Sequence, residues 1–222
     1  MEYAEQYIAL CLGGAGSASA PAPGIALDGT VPFTLDAMVR GVPVETDASV
    51  LRQEGALDIR LTAKGFSFWR EGFGTCSTSS DGEAFQQGEW NHLCIAYEPG
   101  TVRLFVNGAL DRVMQKPCKG SACTKPFVIG AGVKGGVRQL RLFDRALGGM
   151  EVQDLLLMDY ADIQASSYAG ALKAFYDFGC KTPVEHVSGS SITLQGNAKM
   201  RALFPSVQLR GNAYLAISNE PG

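Results

Sequence analysis

Histidine is nearly absent from this chain: His92 and His186 are the two. Histidine-dependent acid–base chemistry therefore has little to draw on, and no G-x-S-x-G nucleophile elbow is present. Runs of basic residues are also missing, and the formal net charge is -3. That excludes the electrostatic footprint of a nucleic-acid binder. No stretch approaches the roughly 18 apolar residues of a membrane span. The six cysteines contain no C-x-x-C pair, so a zinc site has no support. The start, MEYAEQYIALCLGGAGSASA, is acidic before a short apolar run, whereas a secretory signal is basic there. Two readings follow: the native protein lacks a signal, or Met1 begins a piece excised from a longer exported protein.

What is present suits many short strands. The chain has 222 residues, 46% of them hydrophobic, enough for one sizeable core. Its 27 glycines and 10 prolines are spread over candidate turns rather than clustered. Tyr7 to Leu12, Phe33 to Val39, Val50 to Gln53 and Phe66 to Arg70 read as strands. Leu57 to Leu61 alternates apolar and charged residues at period two, as one buried face requires. Gly13 to Gly24 reads as a loop of small residues and prolines. Cys76 to Gly88 is polar and reads as a long surface loop. Near Leu147 to Asp159 the β pattern is lost, which predicts one short helix capping an end of the molecule.

The richest segment is WNHLCIAYEPGTVRLFVNG, Trp90 to Gly108. Glu98-Pro99-Gly100 is a turn, because proline presets φ and glycine tolerates φ > 0. Asn107-Gly108 is a tight-turn signal after a β-branched and aromatic run. FVIGAG and then GGVRQLRLFDRAL follow. In this order the chain resembles the laminin-G-like and pentraxin branch of the concanavalin A-like jelly rolls. The resemblance implies an all-β, two-sheet antiparallel jelly-roll sandwich with one short helix. It predicts a core that includes Phe33, Leu35, Trp90, Leu104, Val106, Ile129, Leu140 and Leu142. It also implies that Ala171 to Phe178 is a strand of the same sandwich, in the pentraxin order. Residues 1–222 are read as a single sandwich with its core at 7–158. The segment 171–222 either completes it or begins a second repeat, the latter prompted by a weak echo of Leu12 to Pro21 at Leu209 to Ser218.

Pentraxins bind calcium near the "iG" strand, but Gly130 to Val137 holds no carboxylate here. No cofactor is therefore expected; calcium stays open only through Asp28, Asp81 and Glu83, whose spacing does not argue for it. The resemblance also implies a strand-to-strand disulfide. Cys94 matches one half of it, and Asp36 stands at the other, so that bridge cannot form. Cys118 and Cys123 are the candidate disulfide, closing a small loop. Buried free thiols are the alternative reading for Cys11 and Cys94.

Glycanases on this fold carry E-x-D-x-x-E on one strand. Here Glu45 and Asp47 are followed by Val50, which breaks the pattern. The reading is a non-catalytic, lectin-like module for a glycan or a protein surface. A structural or interaction module of a larger exported protein is the second reading, and a glycan-active enzyme the third. The resemblance favours an extracellular or cell-surface setting. In FSFWREGF, alternation places Phe66 and Phe68 inward and Trp69 outward, with Arg70 toward the first face or at the strand end. Trp69, Arg70, Asp81 and Glu83 form the candidate ligand site, bordered by the loop after Phe73.

Overall fold

The computed structural model describes residues 7–25, 27–43, 48–63, 65–79, 85–118 and 120–203. Strands form where apolar alternation predicts them. In chain order these are β1 (Tyr7–Gly13), β2 (Ser17–Ala20), β3 (Phe33–Pro43), β4 (Ser49–Gln53), β5 (Leu57–Thr62), β6 (Gly65–Arg70), β7 (Gly74–Ser77) and β8 (Trp90–Glu98). Then come β9 (Thr101–Val106), β10 (Ala109–Gln115), β11 (Phe127–Ile129), β12 (Val133–Phe143), β13 (Leu172–Asp177), β14 (Val184–Glu185), β15 (Thr193–Gln195) and β16 (Lys199–Leu203). Two helices, α1 (Gly149–Asp154) and α2 (Tyr160–Gln164), lie between β12 and β13.

The strands build two antiparallel sheets. One runs β10-β9-β8-β3-β12-β1-β16, with β13 joining β12 and β14 joining β13. The other runs β15-β2-β11-β4-β5-β6-β7. Facing side chains of both sheets form one core. Phe33, Leu35, Leu104, Val106, Ile129, Leu140 and Leu142 are all buried in it, as expected. The turns behave as their residues require. Asn107 and Gly108 both take positive φ, 49° and 79°, the pattern of a two-residue hairpin between β9 and β10. Gly100 sits at φ 85° behind Pro99.

The segment after β12 also belongs to the sandwich. β13 pairs with β12, β15 with β2 and β16 with β1. Phe175 and Phe178 are fully buried. The echo at Leu209 to Ser218 lies outside the described residues.

Three expectations need correction. The one short helix is two, because Asp159 starts a new helix: its carboxylate accepts from the Asp162 N–H at 2.9 Å, and Asp162 returns the bond. The small-residue loop at 13–24 contains a strand, β2, whose Ala18 and Ala20 are buried in the core. Trp90 is only partly buried. On β8 it is Leu93, Ile95 and Tyr97 that enter the main core, while Cys94 and Ala96 face the helices. Trp90 sits at the strand's first residue, on the Cys94 face by period two, and it is not in the apolar cluster beneath the helices.

A second, smaller core lies on that face of the nine-stranded sheet, where Phe105, Phe143 and Phe175 pack with Leu147, Val152, Leu155 and Ile163. At its centre the pentraxin disulfide position is occupied differently. Asp36 is the register partner of both Cys94 on β8 and Arg141 on β12. Its carboxylate accepts from Arg141 Nε and pairs with His92 Nε2, all three side chains being buried. Arg141 continues outward, donating to the Leu155 carbonyl at 3.0 Å and the Met158 carbonyl at 2.9 Å. These are carbonyls at and after the end of α1, which need donors from elsewhere. Burial pushes the Asp36 carboxyl up, but Arg141 and His92 outweigh it and hold its pKa below the ordinary value. His92 is thereby placed in the fold's interior.

The candidate disulfide is absent. Cys118 and Cys123 are both free. Cys118 Sγ contacts the Glu71 carbonyl, after β6, and Cys123 Sγ the Glu54 carbonyl, after β4. The intervening loop is spread across two hairpins instead of closing on itself. Mass-spectrometric peptide mapping without reductant should therefore recover Cys118 and Cys123 unlinked. In the folded protein Cys76 and Cys94, both buried, should resist alkylation, while the exposed Cys180 reacts first.

Candidate functional site

The candidate site lies on the outward face of the seven-stranded sheet. On β5, Leu57, Ile59 and Leu61 enter the core, so Asp58 and Arg60 face away from it. On β6, Phe66 and Phe68 enter the core and Trp69 faces out, partly exposed. The register aligns Arg52 of β4 with Asp58, Asp58 with Trp69, and Trp69 with Thr75 of β7. A cation, a carboxylate, an indole and a hydroxyl therefore lie in one row across four strands.

Arg52, Gln53, Glu54, Gly55, Leu57, Asp58, Arg60 and Trp69 line a cleft of about 350 Å³. Asp58 is its anchor. Only 3% of Asp58 is exposed. Its Oδ2 accepts from Arg52 Nε at 3.0 Å and from Arg60 Nε at 2.7 Å. Its Oδ1 is buried and has no hydrogen-bond partner among the described residues. Buried acceptors are nearly always satisfied, so an orphan beside an open cleft is an acceptor kept for something absent. At the hairpin, Glu54 is paired with Lys125 at 3.1 Å. Gln53 Nε2 donates to the carbonyls of Cys123 and Lys125, which ties the neighbouring loop to this rim.

The sequence-predicted residues divide. Trp69 is at the surface and in the cleft. Arg70 is not: it is 1% exposed and alternates back into the core with Phe66 and Phe68. Its guanidinium lies 4.7 Å from the ring centre of Tyr97 and 5.6 Å from that of Phe33. Nη2 donates to the Leu27 carbonyl, while Nε and Nη1 have no partner among the described residues. Gly29 has φ 88°, a conformation that favours glycine, and a Cβ there would stand 2.9 Å from Nη2. Asp81 and Glu83 lie outside the described residues, as do Glu45 and Asp47. Of the loop after β7, Ser79 is fastened to Asp111 of β10 at 2.7 and 2.8 Å. Asp28 is spent on a local turn, accepting from the Thr30 N–H and hydroxyl. No cluster of three or more metal-ligating side chains occurs among the described residues.

Two opposing magnitudes decide what Arg70 does for stability. Cation–π contact with two desolvated rings contributes roughly 2 kcal/mol. Two unsatisfied buried donors cost about 1–3 kcal/mol each. Arg70→Met should therefore change the unfolding free energy by less than about 1.5 kcal/mol, or raise it, in urea melts. A large loss would show that the buried cation has a partner of its own.

His186 stacks on Tyr160 with ring centres 4.3 Å apart and meets Asp177 Oδ2 at 3.3 Å. It fastens α2 to the strand after it. Neither histidine faces the cleft.

Sequence reasoning missed Asp58, Arg52 and Arg60. The signal was there in the alternation of LDIRL, which commits Asp58 and Arg60 to one face. The cross-strand register that brings them to Trp69 was not.

A family model of laminin-G type, described as the concanavalin A-like lectin/glucanases superfamily, matches residues 12–153. The chain belongs to this superfamily. No curated protein matches it in sequence. Among solved structures, this concanavalin A-like chain is similar to a putative carbohydrate binding protein from Bacteroides ovatus. The identity is 14% and the TM-score 0.66, over 90% of this chain and 60% of that one. It thus spans about 60% of that relative's length, and the likeness is one of fold. Domain 4 of AbnA, a GH43 extracellular arabinanase from Geobacillus stearothermophilus, solved with arabinotriose, is 20% identical at TM-score 0.49. That match covers 65% of this chain and 74% of the domain. The binding domain of Paraclostridial Mosquitocidal Protein 1 is 17% identical at TM-score 0.49, over 59% of this chain and 38% of that one. No helix among the described residues is long and apolar enough to cross a membrane.

Proposed function

We propose that this chain is a non-catalytic glycan-binding module and that the ligand lies on the outward face of the seven-stranded sheet. One observation carries the reading. A partly exposed tryptophan lines the same cleft as a buried carboxylate with an unpartnered oxygen. A sugar offers both complements: an apolar C–H face for the indole, and hydroxyl donors for Asp58 Oδ1. The rim adds a fixed donor, because Asp58 orients Arg52. The Bacteroides ovatus protein of the same fold is described as a putative carbohydrate binding protein.

The described part of the cleft does not favour hydrolysis. Glycoside cleavage needs two carboxylates, one of them able to hold a proton. Asp58 is committed to two arginines and Glu54 to Lys125.

The test exploits the two tryptophans. In a Trp90→Phe background the emission reports Trp69 alone. Titration with a panel of soluble plant, bacterial and animal oligosaccharides should shift or quench that emission for at least one of them. Glycan binding with no change at Trp69, or no binding across the panel, would overturn the proposal.

A further inference from the structure

The row that crosses the cleft does not stop at Arg52. Val128 of β11 is the register partner of Arg52 on one side and of Ser19 of β2 on the other, and Ser19 is the partner of Thr193 of β15. Alternation turns these three outward as well. Phe127 and Ile129 flank Val128 in the core, Ala18 and Ala20 flank Ser19, and Leu194, next to Thr193, packs against the core. Ser19 and Thr193 belong to a second cleft, of about 450 Å³, whose lining includes Thr124, Ser191, Pro21 and Pro126. Among the described residues no charged side chain lines it. It offers hydroxyls that both donate and accept, beside the apolar rings of the prolines. Its wall is fixed before any ligand arrives. Gln53, from the first cleft, holds the carbonyls on either side of Thr124, and the Tyr176 hydroxyl donates to the Pro21 carbonyl at 3.1 Å.

Clefts at two points of one row suit a ligand that repeats. From Trp69 on β6 to Thr193 on β15 the row crosses five strand spacings, roughly 24 Å. A single sugar ring spans about one such spacing, so a short glycan end on Trp69 leaves the second cleft untouched. An extended chain reaches both. Resting on the glycan reading above, we propose that the ligand is a linear polysaccharide bound along its length, with one unit on Trp69 and another in the hydroxyl-lined cleft at Ser19, Thr124 and Thr193, about four or five units along the chain. Once one unit is seated on Trp69, the second contact is made within the complex, so it adds affinity without a second cost of association.

The experiment measures affinity against chain length, by calorimetry on the intact chain, with oligosaccharides of two to eight units cut from arabinan, xylan, mannan and mixed-linkage β-glucan. In the series that binds, the six-unit chain should bind about tenfold or more tightly than the two-unit one, as two or three further hydrogen bonds imply. Longer chains should gain little more. Thr124→Arg, at an exposed loop position, fills the second cleft, and Thr193→Arg does so from β15. Each should bring the six-unit affinity down to about that of the two-unit chain and leave the latter unchanged. Circular dichroism melts confirm that both variants are folded. Equal affinity for two and six units would overturn the inference and leave the glycan reading standing. So would six-unit binding that neither variant weakens. Absence of any Trp69-dependent glycan binding would remove the reading on which the inference rests, and the inference with it.

Discussion

Asp36→Asn is expected to lower the unfolding free energy by about 3–5 kcal/mol, because it strips a buried arginine of its counter-charge. Arg141 is fully buried, and its other bonds go to carbonyls, which carry no net charge. The variant should unfold at markedly lower urea, with near-native fluorescence before the transition. The double variant Asp36→Leu with Arg141→Met removes both charges and should recover part of the loss. Recovery should be incomplete, since the carbonyls of Leu155 and Met158 then each lose a donor. A single-variant loss under about 1 kcal/mol would mean the pair contributes no more than an exposed one. The same network predicts the acid response. Asp36 and Glu185 both have depressed pKa values. For Glu185, burial raises the value, and bonds from Ser188, Phe175 and Val187 more than reverse it. A carboxylate with a depressed folded pKa adds stability above its unfolded pKa and loses it as pH falls through the folded value. Urea stability should therefore be flat above about pH 5 and fall steadily below about pH 4.

Trp69→Ala is expected to weaken glycan binding by about 2 kcal/mol, roughly thirtyfold, as loss of a central aromatic anchor does. Stability should change by less than about 1 kcal/mol, because the side chain faces away from the core. The two readouts separate the site from the scaffold. A variant that binds normally shows the ligand lies elsewhere. A variant that melts early shows that the indole is a packing element. Arg70, its neighbour on β6, should show no binding phenotype when replaced by Met, since its guanidinium is inside the sandwich.

The fold was legible because it rests on local rules. Alternation in Phe33 to Val39 and Leu57 to Leu61, Pro-Gly and Asn-Gly at the turns, and the Trp90 to Gly108 segment each carry their own physical reason. Elements whose burial comes from distant chain were not legible. β2 is four small residues, SASA, and is a strand because β11 and β15 flank it. Trp90 was placed in the core from its resemblance to relatives, whereas alternation within β8 puts it on the helix-side face, beyond the helices' cover. For the site, alternation alone placed Trp69 outward, while Arg70, expected to line the ligand site, follows the same alternation into the core. Asp58 and Arg52 remained hidden because the row Arg52–Asp58–Trp69 exists only after three strands are in register. The Asp36 network was visible as a missing cysteine, and its partner Arg141 lies 105 residues away in sequence.

The central claim is that ligand lies across β4, β5 and β6, on the outward face of their sheet. Amide chemical-shift mapping by two-dimensional NMR, during titration with the tightest glycan found, tests it most directly. The account predicts the largest shifts at Arg52, Gly55, Asp58, Arg60, Trp69 and Thr75, together with the Trp69 indole N–H, and little change at Trp90, His92 or Arg141. Shifts centred on the other sheet or on the helices, with Trp69 unmoved, would contradict it.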